Sequence, residues 1–303
     1  MSGPTASGKT PLALALAERH GANAAEIVNF DSVQLYRDFD LGTAKPSPAE
    51  LARVPHHLIG VADAAAPWTA GEYARRARPI VADILRRGKT PILVGGTGFY
   101  LRALLQGLSL LPASSSDMRR RLATRPRLYE LLRRLDPEAA RRIAPADREK
   151  IIRALEVRLL TRRPMAEAWR QAPPEPSTVI RPLKLALRPD RAALYARIDR
   201  RAAMMFSGGI QEETRRLLAR YPADLRIWIA HGYKQACDIV LRGAPEAQAL
   251  AEAQQEQRRY AKRQWTWLRS DPGYLWLDGF GDDPAIQQAA VNQIKAALNP
   301  PVD

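Results

Sequence analysis

The residues Gly3, Pro4, Thr5, Ala6, Ser7, Gly8, Lys9 and Thr10 fit the spacing G-x-x-x-x-G-K-[ST] and stand immediately before a helical pattern, Pro11–His20. In such a loop the backbone N–H groups and the helix dipole point at phosphate oxygens. Lys9 adds a point charge, and the hydroxyl of Thr10 can enter the shell of a Mg²⁺ ion. The chemistry open to this pattern is the gripping of a diphosphate. It does not fix a reaction, because nucleotide kinases, ATPases and other diphosphate users share it.

Placing such a loop requires buried strands that end beside it. Ala25–Phe30 is a short apolar run ending at Asp31 and Ser32, Thr90–Gly96 is another ending in glycines, and Tyr73–Arg87 between them is apolar at helical spacing. This alternation predicts an α/β fold: a P-loop NTPase-like parallel sheet flanked by helices, with ligands at the carboxyl ends of its strands. One feature conflicts. Such a loop follows a buried strand, yet only Met1 and Ser2 precede Gly3, so the sequence is expected to start too late to supply the first strand.

From about Leu111 the pattern becomes helical and Arg-rich, as at Leu128–Leu135 and Lys150–Leu160, until the proline-rich stretch Pro173–Pro176. Strand patterns return at Arg181–Leu187 and Tyr274–Leu277. The expected organisation is an α/β core over 1–110 and 182–303 with a helical insertion domain over 111–181. Of the net charge of +15, most lies in the middle: residues 111–201 carry 23 Lys/Arg against 11 Asp/Glu, compared with 12 against 9 before and 12 against 12 after. A localised positive field attracts polyanions, which makes nucleic acid the leading partner, the alternative being a solvated Arg-rich surface.

A single cysteine, Cys237, excludes an internal disulfide and a cysteine-based zinc site; it suits a reducing compartment such as the cytoplasm and is expected in the core. No stretch approaches the roughly twenty apolar residues of a spanning helix, so no membrane partner is expected. His20, His56, His57 and His231 form no ligand set, and no coiled-coil pattern argues against a monomer.

The companions of the loop are more specific than the loop. Asp31, Ser32, Val33, Gln34, Leu35, Tyr36 and Arg37 are followed by Leu41–Pro46 and Pro55–Ile59, then by Gly95–Leu101, Arg153–Glu156, Gly232–Gln235 and Ala261–Leu268. In this order the series resembles bacterial tRNA dimethylallyltransferases over almost the whole chain. The resemblance implies transfer of a dimethylallyl group from dimethylallyl diphosphate to N6 of the adenosine 3′-adjacent to a tRNA anticodon, with release of diphosphate and no ATP hydrolysis. It assigns Gly3–Thr10 to the diphosphate of the donor, with Mg²⁺ as cofactor near Thr10 and Arg201 as a further diphosphate-binding cation. It makes Asp31 the base that takes the amine proton and sets Thr97 beside that amine. The other readings are a Mg²⁺-binding acid for Asp31 and an ordinary turn hydroxyl for Thr97.

Contacts to the tRNA anticodon stem-loop are implied for three groups of residues. They are Asp31, Ser32, Val33, Gln34 and Thr97; Arg119, Glu149, Lys150, Ile151, Ile152 and Arg153; and Lys262, Arg263, Gln264, Trp265, Thr266, Trp267, Leu268 and Arg269. Trp265 and Trp267 can also be read as core. The acceptor must leave the loop stack to react. Two positions depart from the family pattern, Gly60 where an acid is usual and His231 where an apolar residue is. A nucleoside or small-molecule kinase leaves the basic segment unexplained, and a noncatalytic RNA-binding protein leaves Lys9, Thr10 and Asp31 unexplained.

Overall fold

The computed structural model describes residues 1–303 apart from Ala22, Leu110, Ala113, 172–181, His231 and 299–303, so the readings of Pro173–Pro176 and His231 lie outside the described residues. The chain divides into two compact units, Met1–Leu104 with Ile180–Asp303, and Leu105–Val179.

The first unit begins with α1 (Lys9–His20), β1 (Ala25–Asn29), α2 (Pro48–Arg53), β2 (His56–His57), α3 (Ala70–Arg86), β3 (Thr90–Val94) and α4 (Gly98–Gln106). The second unit holds α5 (Ser116–Ala123), α6 (Leu128–Leu135), α7 (Pro137–Arg142), α8 (Arg148–Thr161) and α9 (Met165–Gln171). The chain then returns to the first unit with β4 (Lys184–Leu187), α10 (Arg191–Ser207), α11 (Ile210–Leu218), a short 3₁₀ turn, α12 (Tyr233–Arg242), α13 (Glu246–Arg269), β5 (Tyr274–Leu277) and α14 (Pro284–Leu298).

Strands β2, β1 and β3 pair in that order, all parallel, with Ile27 opposite both His56 and Ile92. Strand β1 is buried along its length, which is why it reads as a short run and not as an alternation. Strands β4 and β5 form a second parallel pair. Met1 and Ser2 stand in the gap: the Met1 amino group donates to Leu93 O (2.6 Å), Ser2 N donates to Leu185 O (2.8 Å), and Leu187 N donates to Ser2 O (3.0 Å). Two residues thus connect the strand systems where a longer strand was expected, and Gly3 begins at their carboxyl end.

Helix α1 is central because it is apolar on two faces. Ala13, Leu14 and Ala17 pack with Ala25, Ile27 and Val94, while Leu12 and Leu16 pack with Leu185, Leu187, Leu277 and Ala290. Both sheets therefore fix the helix whose first turn closes the phosphate loop. Cys237, expected in the core, is only half-buried.

In the second unit, Ser115, Asp136 and Asp147 cap α5, α7 and α8 by accepting backbone N–H bonds. Its core is built from Leu122, Leu128, Leu132, Ile151, Ile152, Ala154 and Leu155. The fully buried Glu156 accepts from Ser115 N (2.6 Å), the Ser114 hydroxyl (3.1 Å) and Arg153 (2.6 Å), and Arg153 also donates to Pro112 O (2.9 Å). The Arg153–Glu156 sequence motif is therefore a strut that fixes the entry loop to α8.

One carboxylate is buried in β1. Glu26 is bonded by Arg87 (2.5 and 2.9 Å), Lys89 (2.8 Å) and His57 (2.8 Å), which hold it well below the usual glutamate range, Arg87 most strongly. A depressed folded-state value means that this contribution to stability is complete at neutral pH and is lost as the pH falls below the ordinary value of 4.5. The Glu26→Gln variant is expected to melt about 5 °C lower at pH 7, with the difference from wild type shrinking in thermal scans as the pH is lowered toward 3.

Candidate active site

Gly8 adopts φ +86°, a left-handed conformation that suits glycine and turns the chain into α1 without a side-chain cap. The first N–H groups of the helix are therefore open to an outside acceptor. The loop is held from two directions. Gln264 on α13 accepts from Thr5 N (2.7 Å) and donates to Gly96 O (3.1 Å), tying the phosphate loop to the turn after β3. Gly281 N donates to Ser7 O (2.9 Å), and Arg197, bonded to both oxygens of Asp282 (2.7 and 2.6 Å), lies 4.7 Å over the ring of Phe280.

A cavity of about 920 Å³ opens in front of the loop, lined among others by Thr5, Lys9, Thr10, Asp31, Gln34, Arg201, Gln257 and Tyr260. Two recessed cations face it. Lys9 Nζ donates to Gly3 O (3.1 Å) and Pro4 O (2.9 Å), both neutral, and desolvation pulls its pKa down to about 8 although Asp31 partly offsets this. Arg201 donates to Thr5 Oγ1 (2.6 Å) and Gln257 Oε1 (3.0 Å), and desolvation lowers it to about 10. Its Nε and the Nε2 of Gln257 are buried without partners. Of the adjacent arginines it is Arg201 that reaches the loop; Arg200 lines the cavity, is exposed and forms no ion pair among the described residues.

Asp31 stands at the carboxyl end of β1. The side chain of Asn29, itself held by Leu58 O (2.8 Å), accepts from Asp31 N (2.9 Å), and the carboxylate accepts from Val33 N (3.1 Å). Desolvation raises its pKa; the amides of Val33 and Gln34 and the charges of Lys9 and Arg201 oppose that rise. Thr97 accepts from Ser32 N (3.0 Å) and donates to Ser32 Oγ (3.1 Å), so the turns after β1 and β3 are joined beside the carboxylate. Gly96 is required there: a Cβ would lie 2.4 Å from Gln264 Nε2 and 3.3 Å from Asp31 Oδ2. Gln34 holds the loop at Thr43 O (3.3 Å) and Ala44 O (2.9 Å). Gly60, where the sequence departs from the pattern, has φ +61° and donates to Gln34 O (2.9 Å), so it serves this same support.

The structure brings together Gly3–Thr10, Asp31, Ser32, Val33, Gln34, Thr97, Gln264 and Arg201. Several of the implied RNA contacts have side chains engaged within the protein. The side chains of Ile151 and Ile152 are core of the second unit, Trp265 and Leu268 are core of the first, Arg153 is bonded to Glu156 and Pro112, and Gln264 works within the site. Arg119 pairs with Glu149 (2.5 Å) and Lys150 with Asp147 (2.6 Å), all in the second unit. Lys262, Arg263, Thr266 and Arg269 are exposed, and Trp267 is half-buried. Sequence reasoning missed Gln257 and Tyr260. Both lie on α13 at helical spacing from Gln264, which is the signal that could have found them.

The strand order, the loop before α1 and the charged cavity at the strand ends define a P-loop-type α/β protein. Residues 34–271 match the family described as IPP transferase and residues 1–59 that described as isopentenyl transferase, and the chain belongs to the IPP transferase family. It is 51% identical over 306 residues to a tRNA dimethylallyltransferase of Koribacter versatilis (strain Ellin345), covering 97% of each chain. It is 46% identical over 305 residues to one of Solibacter usitatus (strain Ellin6076), covering 98% of each. The crystal structure of a full-length tRNA isopentenylpyrophosphate transferase from Bacillus halodurans superposes with a TM-score of 0.71 at 32% identity, over 98% of this chain and 94% of that one.

Lys9 binds an anion only while protonated, and its value of about 8 belongs to the free protein. The affinity for an alkyl diphosphate, which is fully ionised near neutrality, is therefore expected to weaken by up to about tenfold per pH unit above that value. Calorimetric titration between pH 7 and 9.5 checks this, with Lys9→Met expected to bind weakly and without that slope.

Proposed function

We infer that the chain is a tRNA dimethylallyltransferase, which moves the dimethylallyl group of dimethylallyl diphosphate to N6 of the adenosine 3′-adjacent to a tRNA anticodon and releases diphosphate. The observation that carries this is the pairing, within one cavity, of recessed cations that lack an anion and a carboxylate positioned to act as a base. The matches to proteins of that name support it.

The donor's diphosphate lies on the loop amides, with Lys9 and Arg201 as its cations and the unpartnered N–H groups of Arg201 and Gln257 as further donors. When the allylic C–O bond breaks, its electron pair leaves with the diphosphate, and these fixed donors stabilise the growing charge more than they stabilise the ground state. The N6 lone pair is delocalised into the adenine ring. Asp31 takes the amine proton as the carbon–nitrogen bond forms, and its raised pKa makes it a better base than an ordinary aspartate. Lys9 and Arg201 keep it ionised meanwhile. Thr97 and Ser32 shape the wall against which the amine is held.

Mg²⁺ is the cofactor of this reading. Among the described residues no three His, Cys, Asp or Glu side chains gather to hold a metal ion. The hydroxyl of Thr10, on the cavity wall, suits a hard cation whose other ligands are water and phosphate oxygens. Held at Thr10, such an ion would supply positive charge beside the diphosphate. The basic, Arg-rich segment supplies general attraction for the phosphates of tRNA. No helix among the described residues is long and apolar enough to cross a membrane, and we place the enzyme in the cytoplasm as a monomer.

Replacing the base separates chemistry from binding. Asp31→Ala is expected to lower single-turnover rates by about 10²–10⁴-fold while tRNA affinity in filter binding stays within about threefold. An equal loss of binding and turnover would count against the base assignment.

A further inference from the structure

Phe99 has no part in this mechanism, yet 57% of it is exposed at the start of α4, two residues after Thr97. Its surroundings are equally unusual. The start of α4 is pressed onto Trp267 of α13, since a Cβ on Gly98 would lie 2.1 Å from that ring. One turn along α4 stands Arg102, and one turn before Trp267 on α13 stands Arg263, 5.6 Å over the ring of Tyr260. Both cations are exposed, and neither forms an ion pair among the described residues. From Gln257 to Arg269 α13 carries no acid at all.

An exposed aromatic ring with an exposed arginine one turn along its helix, two residues from Thr97, is the chemistry that receives an unstacked nucleic-acid base and its phosphate. We propose that Phe99 is the face on which the base flanking the acceptor adenosine stacks once the acceptor has left the anticodon-loop stack, with Arg102 and Arg263 taking the adjacent phosphates. The proposal rests on the transferase reading. Extrusion breaks two stacking contacts of the acceptor's neighbours, and a ring fixed two residues from Thr97 restores one of them. That lowers the cost of presenting N6 to Asp31.

The test uses an anticodon stem-loop RNA in two forms, one intact and one with abasic sites flanking the acceptor. On intact RNA, Phe99→Ala is expected to raise KM for RNA and lower kcat/KM by about tenfold or more, leaving KM for the alkyl donor unchanged, and Phe99→Trp to stay within about twofold of wild type. On the abasic RNA, wild type and Phe99→Ala are expected to be equal. A Phe99→Ala enzyme as active as wild type on intact RNA, or a deficit of the same size on abasic RNA, overturns the proposal. An inactive wild type overturns the transferase reading instead, and matched thermal melting of the variants excludes a folding defect.

Discussion

Two cations set apart from bulk water without an anion bonded to either are costly to maintain, and the first unit is organised around them. Among the described residues Lys9 is bonded only to the carbonyls of Gly3 and Pro4, and Arg201 only to a hydroxyl and an amide oxygen. Desolvation disfavours both, as their lowered pKa values record. A diphosphate bonded to both offsets that penalty, so the desolvation of the two cations favours one kind of ligand. The neighbouring carboxylate of Asp31 accepts from Val33 N and forms no ion pair with either cation among the described residues.

The supports around this charge arrangement explain details that otherwise look arbitrary. Helix α1 needs two apolar faces because it is gripped by both strand systems. Gln264 must be an amide, because it accepts from one catalytic turn and donates to the other. Gly96 leaves room for that amide beside Asp31. Gly281 bonds the loop at Ser7 O and Arg197 holds the neighbouring Phe280 and Asp282, so the loop is fixed by α10 and by the segment after β5 together.

Much of this was legible in the sequence, and the failures have physical reasons. The loop, Asp31 and the strands that present them carry local signals, a fixed spacing and short apolar runs. The side chains of Ile151, Ile152 and Leu268 turned out to be core because a motif names consecutive residues, whereas a helix sends neighbours to different faces. The Arg153–Glu156 segment kept its signal but not its meaning: a buried ion pair holds a loop. The bonds of Met1 and Ser2 to Leu93, Leu185 and Leu187 had no sequence signal, because two residues carry no periodicity. Gln257 and Tyr260 emerge only when α13 is known to be one continuous helix.

The most direct test of the account is to incubate the protein with Mg²⁺, dimethylallyl diphosphate and unmodified tRNA, digest the RNA and weigh its nucleosides. The account predicts an adenosine heavier by one dimethylallyl group in place of one hydrogen, at the position after the anticodon, with one diphosphate released for each. Unchanged nucleosides from folded protein, with ATP consumed when it is supplied instead, would contradict it and make the loop that of a kinase.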